Sequence, residues 1–312
     1  MSENSTGGVA ILGIFVADAS FRAPRQPNMG ETLIGSRFSL GPGGKGSNQA
    51  VAVARLGVPV SMITSLGSDD FAEIAFNMWT TEGVTPVVTR RYESYTGAAY
   101  IFIEEGTGNN AIIVCPGAAA TISPKQVEAA RATIEGASVF ITQLEQPVDA
   151  AQRGLEIARA AGVTTIFNPA PAVPVDNAMF SLCDYVTPNE SETEGLTGIA
   201  VKNVDDARKA ADELLAKGVG TAVITLGENG VLVHDREVSE HLPAVNAGPV
   251  VETTGAGDAF NGGMAAALAR GMAPLEAARF GCVVAGISVT RPGTAPSMPT
   301  RAEAEAVFGE QR

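Results

Sequence analysis

From Ser123 onward, segments with helical spacing alternate with short apolar runs, and this rhythm constrains the fold more than any other feature. The spacing predicts helices over Ser123–Glu135, Asp149–Ala161 and Asp205–Lys217. Each leads into an apolar run: Val139–Gln143, Thr164–Asn168 and Ala222–Leu226. Parallel neighbours cannot be joined by a tight hairpin; they need a crossover, and a helix is the usual one. The alternation therefore predicts an α/β fold with a mainly parallel sheet covered by helices on both faces.

The first third is less regular. Val9–Phe15 reads as a buried strand. Gly46–Leu56 has helical spacing, with Gly57 where a C-terminal glycine belongs. Val60–Ser65 is expected as a strand and Asp69–Glu82 as a helix with acids near its start. Thr96–Glu104 and Ala111–Cys115 are expected to pair across a Gly-Thr-Gly-Asn-Asn turn. Segments 14–38 and 87–115 break the βα rhythm and are assigned to a small β lid. The whole chain, 1–312, is read as one elaborated domain.

Composition narrows the partners. With 34 acidic against 21 basic residues, the net charge of −13 argues against nucleic acid, whose phosphates attract basic stripes. Cys115, Cys183 and Cys282 are too few and too scattered for a disulfide scaffold, which fits a reducing cytoplasm. There is no apolar run of membrane-spanning length, and Met1–Gly8 lacks the pattern of a leader peptide.

Two glycine-rich stretches invite chemistry. Gly41-Pro42-Gly43-Gly44-Lys45-Gly46-Ser47-Asn48 formally matches G-x-G-x-x-G. It lacks the preceding apolar strand and the later acid of a dinucleotide fingerprint, so a nicotinamide enzyme is disfavoured. It is either a tight loop entering a helix or a place where backbone approaches a polar ligand, with Lys45 and Asn48 as donors. The second stretch, Glu252-Thr253-Thr254-Gly255-Ala256-Gly257-Asp258, runs directly into the helical pattern Ala259–Ala269. Free N–H groups at such a start suit an anion. Asp258 is then either a helix cap or the acceptor of a proton from a substrate hydroxyl.

Together with Asn168-Pro169-Ala170-Pro171-Ala172, Thr187-Pro188-Asn189-Glu190-Ser191-Glu192 and Thr225-Leu226-Gly227-Glu228-Asn229-Gly230, these stretches make five signatures in order. With them the chain resembles the ribokinase (PfkB-type) family of carbohydrate and nucleoside kinases, from Gly13 to about Pro299. The resemblance implies a three-layer α/β/α fold with a small β-strand lid, and an ATP-dependent phosphotransferase acting on a sugar hydroxyl. Ribose is the first expectation; another pentose, a ketose, a nucleoside or a sugar phosphate is the alternative.

It also implies roles residue by residue. Asp258 would be the base, and the N–H groups of Gly255, Ala256 and Gly257 the anion hole. Asp18, Gly44, Lys45, Asn48 and Glu145 would hold the sugar. Asn189, Thr225, Gly227, Gly230 and Cys282 would line the ATP site, with Ala256 and Gly257. Glu192 would organise Mg²⁺ through water. Glu252, Thr254, Ser288, Arg291, Gly293 and Ser297 would surround K⁺, mostly through carbonyls. A homodimer joined through the lid strands is expected, because open strand edges are usually covered.

Three positions depart from the family pattern: Glu252 where Asp is usual, Val16 where ribose-specific members commonly carry Asn, and Cys282 where His or Asn often meets adenine. Arg22 and Arg25 either face solvent or, near the lid, meet a substrate phosphate. His234 and His241, seven apart, are read as surface or edge residues, Trp79 as packing, and Lys202, Lys209 and Lys217 as a solvated face. Loss of catalysis in a nucleotide-binding regulator would leave Asp258 or the Gly255–Gly257 loop altered, and both are intact.

Overall fold

The first apolar run forms β1 (Val9–Leu12), flanked on both sides by parallel neighbours, β4 (Val60–Leu66) and β8 (Val139–Thr142). The structure, a computed structural model, describes residues 7–107 and 109–310. Beyond β4 lies β5 (Thr85–Arg90), and beyond β8 come β9 (Thr164–Phe167), β10 (Tyr185–Val186) and β11 (Thr221–Thr225), all parallel. The antiparallel β12 (Val231–His234) and then β13 (Ser239–Leu242) complete a nine-stranded sheet in the order β13-β12-β11-β10-β9-β8-β1-β4-β5.

Alternation along β1 explains the layers. Val9 and Ile11 belong to one buried cluster, Ala10 and Leu12 to another. The first cluster is closed by α1 (Lys45–Arg55), α2 (Asp70–Glu82), α8 (Ala256–Ala269), α9 (Pro274–Ser288) and α10 (Arg301–Glu310). The second is closed chiefly by α3 (Pro124–Ala129), α4 (Arg131–Glu135), α5 (Val148–Ala160) and α7 (Val204–Ala216); α6 (Glu190–Thr197) lies beside α7. The three-layer α/β/α arrangement follows, because a parallel sheet must be covered on both faces.

A second sheet has four strands, β3-β2-β6-β7, formed by β2 (Val16–Ala23), β3 (Arg37–Gly43), β6 (Thr96–Glu104) and β7 (Asn110–Gly117). Its boundaries differ from the expected lid segments. Residues 87–90 belong to β5 in the large sheet, and β3 runs on to Gly43. The expected β6–β7 pairing is present, with Gly108 of its turn outside the described residues. The helix expected over Ser123–Glu135 is interrupted at Ala130, where bonding tightens to i−3: Ala130 N to Val127 O and Thr133 N to Ala130 O. β1, β8 and β9 stop short of the predicted ends, leaving Gly13, Gln143 and Asn168 at the strand mouths.

Among the described residues no helix is long and apolar enough to cross a membrane. Trp79 is packing, as expected: fully buried between Phe15 and Phe76, with its N–H donated to Ser47.

Candidate active site

Strand order reverses around β1 and β8, so the crossovers on either side diverge and leave a crevice at the carboxyl ends of the strands. Three segments converge there: the start of α1, the start of α8, and the residues just after β8, β9 and β10. β3 feeds directly into α1 through one residue, Gly44, with φ +91°. The loop predicted at the first glycine stretch is thus a strand followed by a single-residue pivot. Gly46 packs on Gly13, where an added Cβ would lie 2.8 Å from the Gly13 Cα. Glycine at both places lets α1 close onto the mouth of β1.

Asp258 is the third residue of α8 and is buried. It does not cap the helix. Gly255 occupies that position at φ +82° with no side-chain cap. Instead the Asp258 carboxylate reaches α1: Oδ2 accepts from Asn48 Nδ2 at 2.9 Å and Oδ1 from Gln49 Nε2 at 3.1 Å. Burial pushes its pKa up, against the pull of Lys45 and these two amides. Asn48 Oδ1 is buried without a partner among the described residues, an acceptor open to a donor from a ligand.

Lys45 makes no direct ion pair among the described residues. The field of Asp258, reinforced by Glu145 and Glu192, raises its pKa against the cost of burial, so it stays charged. Glu145 Oε2 accepts from Lys45 N–H at 2.8 Å, fixing the carboxylate to the start of α1. Burial raises Glu145 to about 7, with Asp258 and Asp18 adding repulsion and Lys45 opposing it. Asp18 lies on β2 against Gly43, where any Cβ would strike its carboxylate. Burial first, then Asp258, raises it to about 6.

These raised carboxylates predict a pH effect. Asp18 and Glu145 in the unfolded chain lose their protons near 4, whereas the folded protein keeps them to about 6 and 7. The folded state therefore binds more protons in that window. This contribution favours folding at pH 4–5 and declines as pH rises to about 7. Thermal melts of the unliganded protein are expected to show this decline flattened in the Asp18→Asn, Glu145→Gln double variant. An unchanged pH slope would contradict the assignment.

Asn189 and Glu192 form a capping box at the start of α6: Asn189 Oδ1 accepts from Glu192 N, and Glu192 Oε2 from Asn189 N. Both also line the crevice beside Lys45, Thr225, Gly255, Gly257 and Asp258. Gly227 and Gly230 have φ of +54° and +89° and turn the chain after β11. At the start of α8 the Ala256 N–H closes a turn onto Thr253 O. Of the three amides expected to form an anion hole, that of Ala256 is thus engaged locally.

Glu252 Oε2 accepts from Gly293 N at 2.8 Å, joining the segment before α8 to the loop after α9. Ser288 and Ser297 are buried in that region. The Arg291 guanidinium turns to Glu303, so only its backbone is available to a cation. Cys282 lies on α9. It is buried in the hydrophobic cluster of α9, and burial pushes its thiol up to about 12.

Arg25 is held bidentately by Glu31, and Arg22 lies half-buried on β2. Val16 shares the Asp18 face of β2 and is buried in apolar surroundings. His234 pairs with Asp212 and Ser239, and His241 with Asn229 O. No group of three metal-ligating side chains forms among the described residues. Lys209 is solvated beside Asp206, but Lys217 reaches the Leu196 carbonyl and the Phe180 ring. A separate depression, lined by Arg159, Asp184 and Tyr185, opens at the opposite ends of the strands.

Sequence reasoning missed the buried amides Gln49, Gln143, Asn168 and Asn261 as site residues. Their signal was available only in part: polar residues directly after apolar runs predicted to be buried.

A buried carboxylate beside a lysine and a glycine-rich helix start, at the mouth of a parallel sheet, defines a phosphotransferase that acts on a hydroxyl. Residues 7–301 match the pfkB family of carbohydrate kinases, and the chain belongs to that family. It is 38% identical over 296 residues to a ribokinase of Haemophilus influenzae, covering 95% of this chain and 96% of that one. A deoxyribokinase of Salmonella typhi is 34% identical, with 94% and 95% covered. The structure of Arabidopsis thaliana ribokinase complexed with ribose and ATP superposes with a TM-score of 0.92 at 27% identity, over 97% of this chain and 98% of that one.

Proposed function

We propose that this chain is an ATP-dependent ribokinase, converting D-ribose and ATP to D-ribose 5-phosphate and ADP. The observation that carries the reading is Asp258, buried at the start of α8 with both oxygens held by α1 amides, beside Lys45. Asp18, Gly44, Lys45, Asn48 and Glu145 bind the sugar and aim its primary hydroxyl at the γ-phosphoryl group. The hydroxyl oxygen forms the new bond to phosphorus, the bond to the β-phosphate oxygen breaks, and ADP leaves with that electron pair. The hydroxyl proton passes to Asp258. Lys45 and the N–H groups of Gly255 and Gly257 meet the charge that gathers on the transferred group.

Mg²⁺ neutralises phosphate charge when bound with ATP; Glu192 would hold it through water, since Oε2 alone is engaged in the cap. Glu252, Thr254, Ser288, Arg291, Gly293 and Ser297 would hold K⁺, and the Glu252 contact to Gly293 fits a closed cation loop. Asn189, Thr225, Gly227 and Gly230 border the nucleotide. The three cysteines are free, which fits the cytoplasm proposed here.

Val16 favours a second reading, 2-deoxyribose as acceptor. An apolar side chain on the Asp18 face offers a sugar hydroxyl no hydrogen bond, and a lost hydrogen bond can cost specificity heavily. A coupled ADP-release assay with Mg·ATP and a panel of ribose, 2-deoxyribose, other pentoses, ketohexoses, sugar phosphates and adenosine tests both. Fastest turnover with ribose, greater in KCl than in NaCl at equal ionic strength, is expected. A preference for deoxyribose selects the second reading, and no turnover with any acceptor refutes both. Equal rates in the two salts would remove the K⁺ assignment.

The four-stranded sheet leaves Phe21, Phe38, Ile112 and Ile113 exposed. A homodimer joined through these strands is expected to bury them. Sedimentation at micromolar concentration should give a dimer that Phe21→Lys converts to monomer; a wild-type monomer would contradict the proposal.

A further inference from the structure

Behind the residues proposed to touch substrate runs a chain of buried amides. Gln49 is fully buried on α1, and each of its polar atoms has a defined partner. Its Nε2 donates to Asp258 Oδ1 at 3.1 Å and to Asn168 Oδ1 at 3.2 Å. Its Oε1 accepts from Gln143 Nε2 at 2.6 Å. Rotating the amide by half a turn would set its oxygen against two oxygens and its NH₂ against the Gln143 NH₂. Both ends therefore enforce one orientation.

The chain continues. Asn168 Nδ2 donates to Thr187 O at 3.0 Å, Thr187 Oγ1 to Asn261 Oδ1 at 2.7 Å, and Asn261 Nδ2 to Gly257 O at 2.8 Å. Gly257 is one of the residues proposed for the anion hole. The carboxylate and the hole are thus fixed to one network built from α1, α8 and the mouths of three strands.

We infer that Gln49 is a positioning residue, which sets the plane of the Asp258 carboxylate and ties it through Asn168, Thr187 and Asn261 to the Gly257 backbone. The inference rests on the base role proposed for Asp258. Asn48 holds one carboxylate oxygen and Gln49 the other, so the group cannot turn about its Cβ–Cγ bond without breaking a bond at each end. Gln49 also stabilises the ionised carboxylate by donating to it.

The test uses the full chain with Mg·ATP and whichever of ribose and 2-deoxyribose turns over faster, from pH 5 to 9. Gln49→Leu is expected to lower kcat about 10-fold while the sugar KM changes less than about threefold. The acid limb of kcat is expected to move to higher pH, since a donor to the charged form is lost. Gln49→Glu, an acid against an acid, is expected to move it further the same way. Lys45, Asp18, Glu145, Glu192 and Asn48 face Asp258 in every variant, so a displaced limb reports position 49. An unchanged kcat, or a lower kcat with the limb unmoved, would overturn the inference.

Should Gln49→Leu fail to fold, Gln143→Leu decides by the same limb, because it removes only the donor that orients Gln49. An inactive Asp258→Asn beside a normal Gln49→Leu defeats this inference alone. An active Asp258→Asn defeats the base role beneath it.

Discussion

Asp258→Asn is expected to lower kcat by at least about 10²-fold, the scale of a lost general base. The fold should survive. Asparagine keeps the shape and removes a buried charge whose ionisation burial already opposes. Its NH₂ would face the donor of either Asn48 or Gln49, a mismatch of about 1–3 kcal/mol that the lost desolvation cost offsets. The sugar KM should change only severalfold, and ATP affinity by calorimetry should be retained, because the Gly255 and Gly257 backbone is untouched. Turnover near the wild-type rate would remove Asp258 from the base role and leave the crevice a binding site only.

Gly44→Ala is expected to destabilise the fold by about 2–4 kcal/mol, combining left-handed strain with overpacking. Gly44 has φ +91°, and a Cβ there would lie 2.5 Å from Ile14 O and 2.9 Å from Phe15 Cα. Neither atom belongs to a flexible side-chain end. Ile14 O accepts from Ser47 N at 3.2 Å, and Phe15 is fully buried against Trp79. Relief would require moving β3 relative to α1, which also displaces Lys45 and Asn48. Urea unfolding should show the lower midpoint, with a raised sugar KM in the fraction that folds. An unaltered midpoint would show that the strand-to-helix pivot is softer than its backbone contacts imply.

How far the site was legible depended on which partners each residue meets. The glycine signatures and Asp258 could be picked out because helix starts and tight turns are encoded by neighbours in the chain. Cys282 stands where family members often carry His or Asn, and that its side chain packs in the α9 cluster could be seen only in the fold. Arg25 is charged and near the small sheet, where Glu31, six residues away, engages both its terminal nitrogens. Ala256 lies in the glycine signature, yet its N–H closes a local turn.

The sequence alone determined the parallel layered architecture, the strand-rich second sheet and the two glycine-rich helix starts. Each is written in periodicity or in residues with special backbone freedom, and both act over one or two turns of chain. Only the tertiary structure decided that Thr85–Arg90 joins the large sheet, and that Asp258 is clamped rather than capping. The Asn48–Asp258 bond spans 210 residues. Such a bond exists only because strand order brings the mouths of β1, β8 and β9 under α1 and α8, and a pairing set by topology leaves no local trace in the chain.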